Sequence, residues 1–290
     1  MQSSILYIHH SCFAWEGPEA LVVYDYWRDN YDGRLEKLLQ TTEKQIYFVT
    51  SHFHEDHYNA AIFEIRRETE KPPILLISHD TYKRRRVPKE MAMTVLRPGD
   101  RYEDDLIELY AFRSTDVGVC TVITMKAANP EEEGHTAFHA GDNNNWYFPQ
   151  GDDRIHILTH EMEGLFLSTL RDIQLKFPHI THAMFPLDSR LGCESLRGPS
   201  QWLARIDTEH FYPMHTWGRH AKALEEIDQL VYLFPHTQFH YEADEHGEET
   251  YGEFLQRVRN ELDNPPTERV IIEEPESLSP DGDPMPEDNE

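Results

Sequence analysis

Basic residues are scarce in this chain: 27 lysines and arginines stand against 53 aspartates and glutamates, a formal charge of −26 over 290 residues. A field of that sign repels phosphate backbones and anionic lipid, so nucleic acids and membrane surfaces are poor partners. The one basic run, Lys83-Arg84-Arg85-Arg86, is short and reads as a solvated face. Cysteines are scarcer still. Cys12, Cys120 and Cys193 are odd in number and far apart, which excludes a disulfide framework and a Cys-x-x-Cys site and suits a reducing cytosol. No apolar run approaches membrane-spanning length. Met1–Tyr7 has no basic region ahead of an apolar core, so no signal peptide is expected. These absences suit a cytoplasmic protein whose partners are neither nucleic acid nor membrane, and a homo-oligomer is compatible with them.

What is present alternates. Ile5–His9 and Leu21–Tyr26 are β-rich runs around a turn containing Glu16-Gly17-Pro18, which reads as one hairpin. Gly33–Gln40 is a short helix with leucines at 35, 38 and 39, and Gln45–Ser51 is a strand buried on both faces. A helix over Asp56–Glu70 and a strand over Ile74–Ser78 complete a strand–helix–strand alternation. Short strands follow around Ala92–Val95, Leu106–Phe112, Val119–Met125 and Thr136–Ala140, spaced like an antiparallel meander. The spacing of Leu158, Met162, Leu165, Phe166, Leu170 and Ile173 predicts a helix over Ile157–Lys176 with one buried face. Strands at His182–Leu187 and His210–Met214 and helices at Pro199–Ile206 and Lys222–Leu233 end the ordered pattern. The fold class is therefore α/β: a four-layer αββα sandwich of two mixed sheets flanked by helices. Residues 1–263 form that domain. Residues 264–290 read as a disordered acidic tail, because Ile271–Glu290 holds eight acids, four prolines and no base.

The chain is organised around His52-Phe53-His54-Glu55-Asp56-His57, at the end of the buried strand Gln45–Ser51. His52 and His54 are two apart, so an extended backbone points both rings the same way, and Asp56 and His57 open the next element. Imidazole nitrogen and carboxylate oxygen are the ligands preferred by zinc and its neighbours.

This His-x-His-x-Asp-His pattern resembles the signature of the metallo-β-lactamase fold hydrolases. The resemblance implies an aspartate that bridges two metals and a late histidine from another loop. Phe138-His139-Ala140-Gly141-Asp142 supplies the first as Asp142, and Pro213-Met214-His215 the second as His215. The family usually adds a histidine between these motifs, and the corresponding segment, Arg113-Ser114-Thr115-Asp116-Val117-Gly118-Val119, has none. Asp116 is its strongest ligand candidate. The run Ser-Thr-Asp-x-Gly-Val, with His-Ala-Gly-Asp-x-Asn-Asn-Trp and Pro-Met-His, resembles a bacterial branch near the sugar-lactonase-like enzymes. The resemblance extends from about Ile5 to Gly218.

It implies two divalent cations, zinc first, with manganese or iron as alternatives. A carboxylate in place of an imidazole makes one site harder and moves it toward manganese or iron(II). Asp56, His57, Asp142 and His215 are expected to hold the tighter metal. His52, His54 and Asp116 are expected to hold the looser one, with Asp142 bridging. The expected chemistry is attack of a metal-bound hydroxide on a small ester, lactone or phosphoester, with Asp56 as the catalytic residue that orients it and accepts its proton. His10, Asp188, Arg190 and Asn145 are candidate substrate-binding residues at strand ends facing the same cleft. Asp188 and Arg190 have an alternative, an ion pair within their own loop. An alternative function on the same fold is a metal-binding or ligand-sensing protein with little or no catalysis.

Overall fold

A computed structural model describes residues 3–242 of the chain, apart from residues 31, 66–70, 86, 89, 128–133 and 148–152. The boundary expected at residues 263 and 264, and the acidic tail beyond it, lie outside the described residues.

Alternate residues on the central strands point to opposite faces, and both faces are covered. On β3 (Ala20–Tyr24), Ala20, Val22 and Tyr24 join one apolar cluster while Leu21 and Val23 join another. On β4 (Gln45–Thr50), Tyr47 and Val49 separate from Ile46 and Phe48 in the same way. This is the period of two that a pleated strand imposes. The second cluster contains Leu35 and Leu39 of helix α1 (Arg34–Thr41), so the helix covers the outer face. The first cluster continues into a second sheet.

The first sheet has six strands in sequence order: β1 (Ser4–His9), β2 (Cys12–Glu16), β3, β4, β5 (Ile74–Ser78) and β6 (Thr94–Leu96). β1, β2 and β3 pair antiparallel, and β3 through β6 pair parallel. The second sheet has β7 (Arg101–Glu103), β8 (Ile107–Arg113), β9 (Val119–Met125) and β10 (His135–His139) in antiparallel order. It continues with β11 (His179–Pro186), β12 (Asp207–Met214) and β13 (Gln238–Phe239), all parallel to β10. The short helix α2 (His79–Arg84) follows β5. On the second sheet, α3 (Asp153–Lys176), α4 (Arg197–Leu203) and α5 (His220–Leu233) bury Phe166, Leu170, Ile173, Trp202, Ala223, Ile227 and Leu230 in the same cluster as Phe138 and Phe185. Trp202 stacks on Phe138 with ring centroids 4.1 Å apart. The result is the expected two mixed sheets with flanking helices. No helix among the described residues is long and apolar enough to cross a membrane.

Three local expectations change. The strand expected around Ala92–Val95 as part of the meander is β6, which pairs parallel with β5 in the first sheet, and the meander runs from β7 to β10. The N-terminal hairpin contains a third strand, β2, paired from Ser4↔Glu16 to His9↔Cys12. Its turn, His10-Ser11, has no glycine, proline or asparagine to mark it, because His10 itself takes the left-handed conformation at φ 54°. The helix expected over Asp56–Glu70 is replaced, within its described part, by two short 3-10 turns, Glu55–His57 and Ala60–Phe63. Tyr58 and Asn59 between them are extended. Asn59 accepts a hydrogen bond from the Ala61 amide and donates 2.6 Å to the Trp27 carbonyl, which competes with continuing the helix.

Candidate metal centre

The ends of β1, β3, β4, β8, β10, β11 and β12 bring the polar candidates together at one edge of the sandwich. Two glycines make the approach close enough. A Cβ on Gly118 would lie 2.1 Å from the Ser51 carbonyl oxygen, and one on Gly141 2.7 Å from the Ser51 side chain. Their φ values, 74° and 53°, are in the region only glycine occupies freely. The loops bearing Asp116 and Asp142 thus pack directly on the strand end that bears His52. Among the described residues, the non-glycine residues with positive φ are His10, Asp25, His215 and Trp217. All four are at this edge. Side chains larger than glycine are held at such angles only where the surroundings over-determine them, at about 1–3 kcal/mol each.

The first group of ligand atoms comes from His10, Asp56, His57 and His215. The Nε2 atoms of His10, His57 and His215 lie 3.2, 3.5 and 3.8 Å from Asp56 Oδ2. The second comes from His52, His54, Asp116 and Asp142. There His52 Nε2 is 3.0 Å from His54 Nδ1, and His54 Nδ1 is 3.5 Å from Asp116 Oδ2. Asp142 joins the two groups. Its Oδ1 is 3.1 Å from His57 Nε2 and 3.4 Å from His215 Nε2, while its Oδ2 is 3.6 Å from His52 Nε2. The second group is the more open, with His54 and Asp116 side chains 42% and 33% exposed against 0–17% in the first.

A carboxylate behind the histidines fixes their orientation. Asp25, fully buried, accepts from His57 Nδ1 at 2.7 Å, from Ser51 Oγ at 2.6 Å and from the Ser51 amide at 2.6 Å. Because Ser51 Oγ donates to Asp25, it accepts from His52 Nδ1 at 2.9 Å. One aspartate thereby turns the Nε2 lone pair of His57 toward the first group and that of His52 toward the second. Asp188 does the same for His215, accepting from Nδ1 at 3.1 Å.

Electrostatics follow the same map. Burial alone would raise the carboxyls of Asp142 and Asp56, but the surrounding histidines hold both well below the usual carboxylate range. Burial opposes a charge on His57 and His215, yet Asp142, with Asp25 beside His57 and Asp188 beside His215, raises both. Burial and the neighbouring imidazoles push His10 down to about 4 and His52 to about 3. Asp116 is raised, by burial first and by Asp142 second.

These residues fit a pair of divalent cations. His57 Nε2 and Asp142 Oδ1 are buried and face each other, and neither has a hydrogen-bond partner among the described residues. With the His57 proton on Nδ1, a lone pair meets a carboxylate oxygen there, an arrangement that calls for a cation between them. The donor set of imidazoles and carboxylates suits zinc, manganese or iron.

The structure brings His52, His54, Asp56, His57, Asp116, Asp142 and His215 together. His10, expected as a substrate-binding residue, instead offers its Nε2 within the first group. Asp188 lies behind His215, and its loop ion pair is present: Arg190 Nε donates to both carboxylate oxygens at 2.9 and 3.0 Å. Asn145 directs its amide nitrogen at Glu163 and Gln201 of α3 and α4, at 3.2 and 2.9 Å, and its buried Oδ1 has no partner among the described residues. Asp25 escaped sequence reasoning. A lone aspartate two residues past a valine pair carries no pattern, and only its position at a strand end beside β4 marks it. A cavity of about 510 Å³ between β8 and α3 shares no residue with either group.

A family model described as the beta-lactamase superfamily domain matches residues 4–174. No curated protein sequence matches the chain. Among solved structures, the chain is similar to Igni18, a metallo hydrolase from the archaeon Ignicoccus hospitalis, at 16% identity and TM-score 0.56, covering 84% of this chain and 96% of that one. It is also similar to CmlA, a diiron β-hydroxylase from Streptomyces venezuelae, at 10% identity and TM-score 0.55, covering 82% of this chain and 52% of that one. The match therefore spans about half of CmlA.

Proposed function

Since the chain belongs to the beta-lactamase superfamily and has the metallo-β-lactamase fold, we propose that it is a metal-dependent hydrolase of a small ester, lactone or phosphoester. The observation that carries the reading is the divided carboxylate of Asp142, with one oxygen toward His57 and His215 and the other toward His52. His10, Asp56, His57 and His215 would hold one cation, His52, His54 and Asp116 the other, and Asp142 both. Such cations, when bound, lower the pKa of water toward neutrality and polarise a carbonyl or phosphoryl oxygen.

The remaining work falls to the chain. Asp25 and Asp188 hold the tautomers of His57, His52 and His215, so no rearrangement is needed when substrate arrives. Asp56 presents Oδ2 to three histidines, and its Oδ1 has no partner among the described residues. In this reading that oxygen accepts a hydrogen bond from the attacking water and orients it. A carboxyl held so far below its usual range is a stronger orienting acceptor than a proton store. Asp116 in place of an imidazole supports manganese or iron(II) in the more open group, with zinc suited to the first. The acidic balance supports a small substrate over a nucleic acid, and the cysteine usage supports a cytoplasmic setting.

The test is turnover of p-nitrophenyl acetate, simple lactones and bis(p-nitrophenyl) phosphate after reconstitution with zinc, manganese or iron(II). Hydrolysis of at least one, abolished by chelation and restored by metal, is the expected result. A fully loaded protein inert to the whole panel would overturn the hydrolase reading and favour a metal-dependent sensor.

A further inference from the structure

The rim of the metal centre is aromatic, and its geometry is unusual. Trp217 is 43% exposed. The other large apolar side chains exposed among the described residues, Leu175, Val231, Tyr232 and Leu233, are on α3 and α5, whereas Trp217 stands two residues after His215. Its ring centroid is 4.6 Å from that of His10 and 5.4 Å from that of His215. Its backbone has φ 51°, next to Gly218 at 69°. A bulky aromatic at such an angle is strained, and asparagine or glycine there would relieve the strain. The Trp217 indole N–H is 3.2 Å from His215 Nδ1, which uses one polar edge, and much of the ring surface stays in solvent, open to a bound group.

Trp27 approaches His10 from elsewhere, with ring centroids 5.7 Å apart. Each indole is backed by an arginine. The Arg28 guanidinium lies 4.4 Å from the Trp27 ring and that of Arg190 4.8 Å from the Trp217 ring. Arg190 is anchored by buried Asp188, and Trp27 is tied through its carbonyl to Asn59. Both aromatic surfaces are therefore held in place beside a histidine of the first ligand group.

From this constellation we infer that Trp217 and Trp27 form a subsite for a planar ring, an aryl group or one of similar shape, next to the bond that is cleaved. The inference rests on the hydrolase reading for the words substrate and bond; the ring-binding surface itself does not. Indole faces bury a flat ring and favour offset or edge contacts. Arg28, with no carboxylate partner among the described residues, adds attraction for a carboxylate on that ring.

The test uses the full metal-loaded chain and two readouts. Binding of 2-naphthoate is followed by quenching of tryptophan fluorescence, and selectivity by the ratio of kcat/KM for p-nitrophenyl benzoate to that for p-nitrophenyl acetate. Trp217→Asn removes the ring while keeping a residue that tolerates positive φ, and Trp217→Phe keeps a ring; Trp27→Ala probes the other wall. Weakening of naphthoate binding by about tenfold in Trp217→Asn, partial recovery in Trp217→Phe and a loss in Trp27→Ala are expected, with the selectivity ratio falling in parallel. Unchanged binding and selectivity in both Trp217→Asn and Trp27→Ala would overturn the subsite and leave the hydrolase reading intact. Weakened naphthoate binding in a loaded protein that turns over no ester, lactone or phosphoester of the panel would overturn the hydrolase reading and leave the subsite standing.

Discussion

Replacing Asp25 with asparagine should weaken both metal sites at once, although Asp25 is proposed as a ligand to neither. The wild-type carboxylate accepts three short hydrogen bonds, from His57 Nδ1, Ser51 Oγ and the Ser51 amide, at 2.7, 2.6 and 2.6 Å. Asparagine keeps the shape but has one acceptor oxygen. If that oxygen stays on the Ser51 amide, the new NH2 faces His57 Nδ1 and Ser51 Oγ as a donor. His57 must then move its proton to Nε2, the nitrogen that faces the first group. Ser51 Oγ, now accepting, turns its hydrogen toward His52 Nδ1 and forces the His52 proton onto Nε2 as well. The opposite rotamer sets NH2 against the Ser51 amide, donor against donor inside the core. Loss of a histidine's orienting partner typically costs 10- to 100-fold in metal affinity, about 1.4–2.7 kcal/mol. Competition titration against a chromophoric chelator should show both binding steps weakened by that order in Asp25→Asn. In Asp188→Asn, where His215 is the one proposed ligand that Asp188 touches, one step should weaken. Weakening of a single step in Asp25→Asn, or of neither, would refute the relay through Ser51.

Asp116→Ala should reduce bound metal from two equivalents to about one after dialysis, measured by elemental analysis, because the more open group would be left with His52, His54 and a share of Asp142. Identical stoichiometry in wild type and variant would remove Asp116 from the ligand set. His182, far along the chain from the ligands, gives a pH prediction. Burial and then His210 push it down to about 3, so it stays neutral in the fold while the unfolded chain takes up its proton near pH 6.5. Its contribution is fully present above that value and is lost as pH falls from about 6.5 toward 3. Between pH 7 and 5 it should account for up to about 2 kcal/mol of lost stability. Urea unfolding of wild type and His182→Gln at the two pH values should show the smaller loss in the variant, and equal losses would contradict the assignment.

The ligands were legible in the sequence where chemistry and strand ends coincide. His52–His57 follows an apolar strand, Asp142 follows a glycine that allows a sharp turn, and His215 closes the last long strand. What sequence reasoning missed depends on contacts between distant segments. Asp25 gains its role only because β3 lies beside β4, which sets it against Ser51 and His57. The β2 strand was hidden because the residue making the turn is a histidine held at positive φ, and turn signals in sequence rely on glycine, asparagine and proline. The 3.2 Å from His10 Nε2 to Asp56 Oδ2 comes from that same turn. The helix expected after His57 gives way, within its described part, to 3-10 turns because Asn59 spends its side chain on the Ala61 amide and on the Trp27 carbonyl of a distant segment.

The ligand groups draw on both sheets. His10, His52, His54, Asp56 and His57 come from the first, and Asp116, Asp142 and His215 from the second. Cations held between them would rivet the sandwich across its seam, at the point where Gly118 and Gly141 let the two layers touch. Occupancy and cohesion then become one equilibrium: whatever binds the native arrangement more tightly than the open chain adds to its stability by mass action. A chelator would behave toward this fold as a mild denaturant, and metal supply in the cell would set how long the folded protein lasts as well as whether it works.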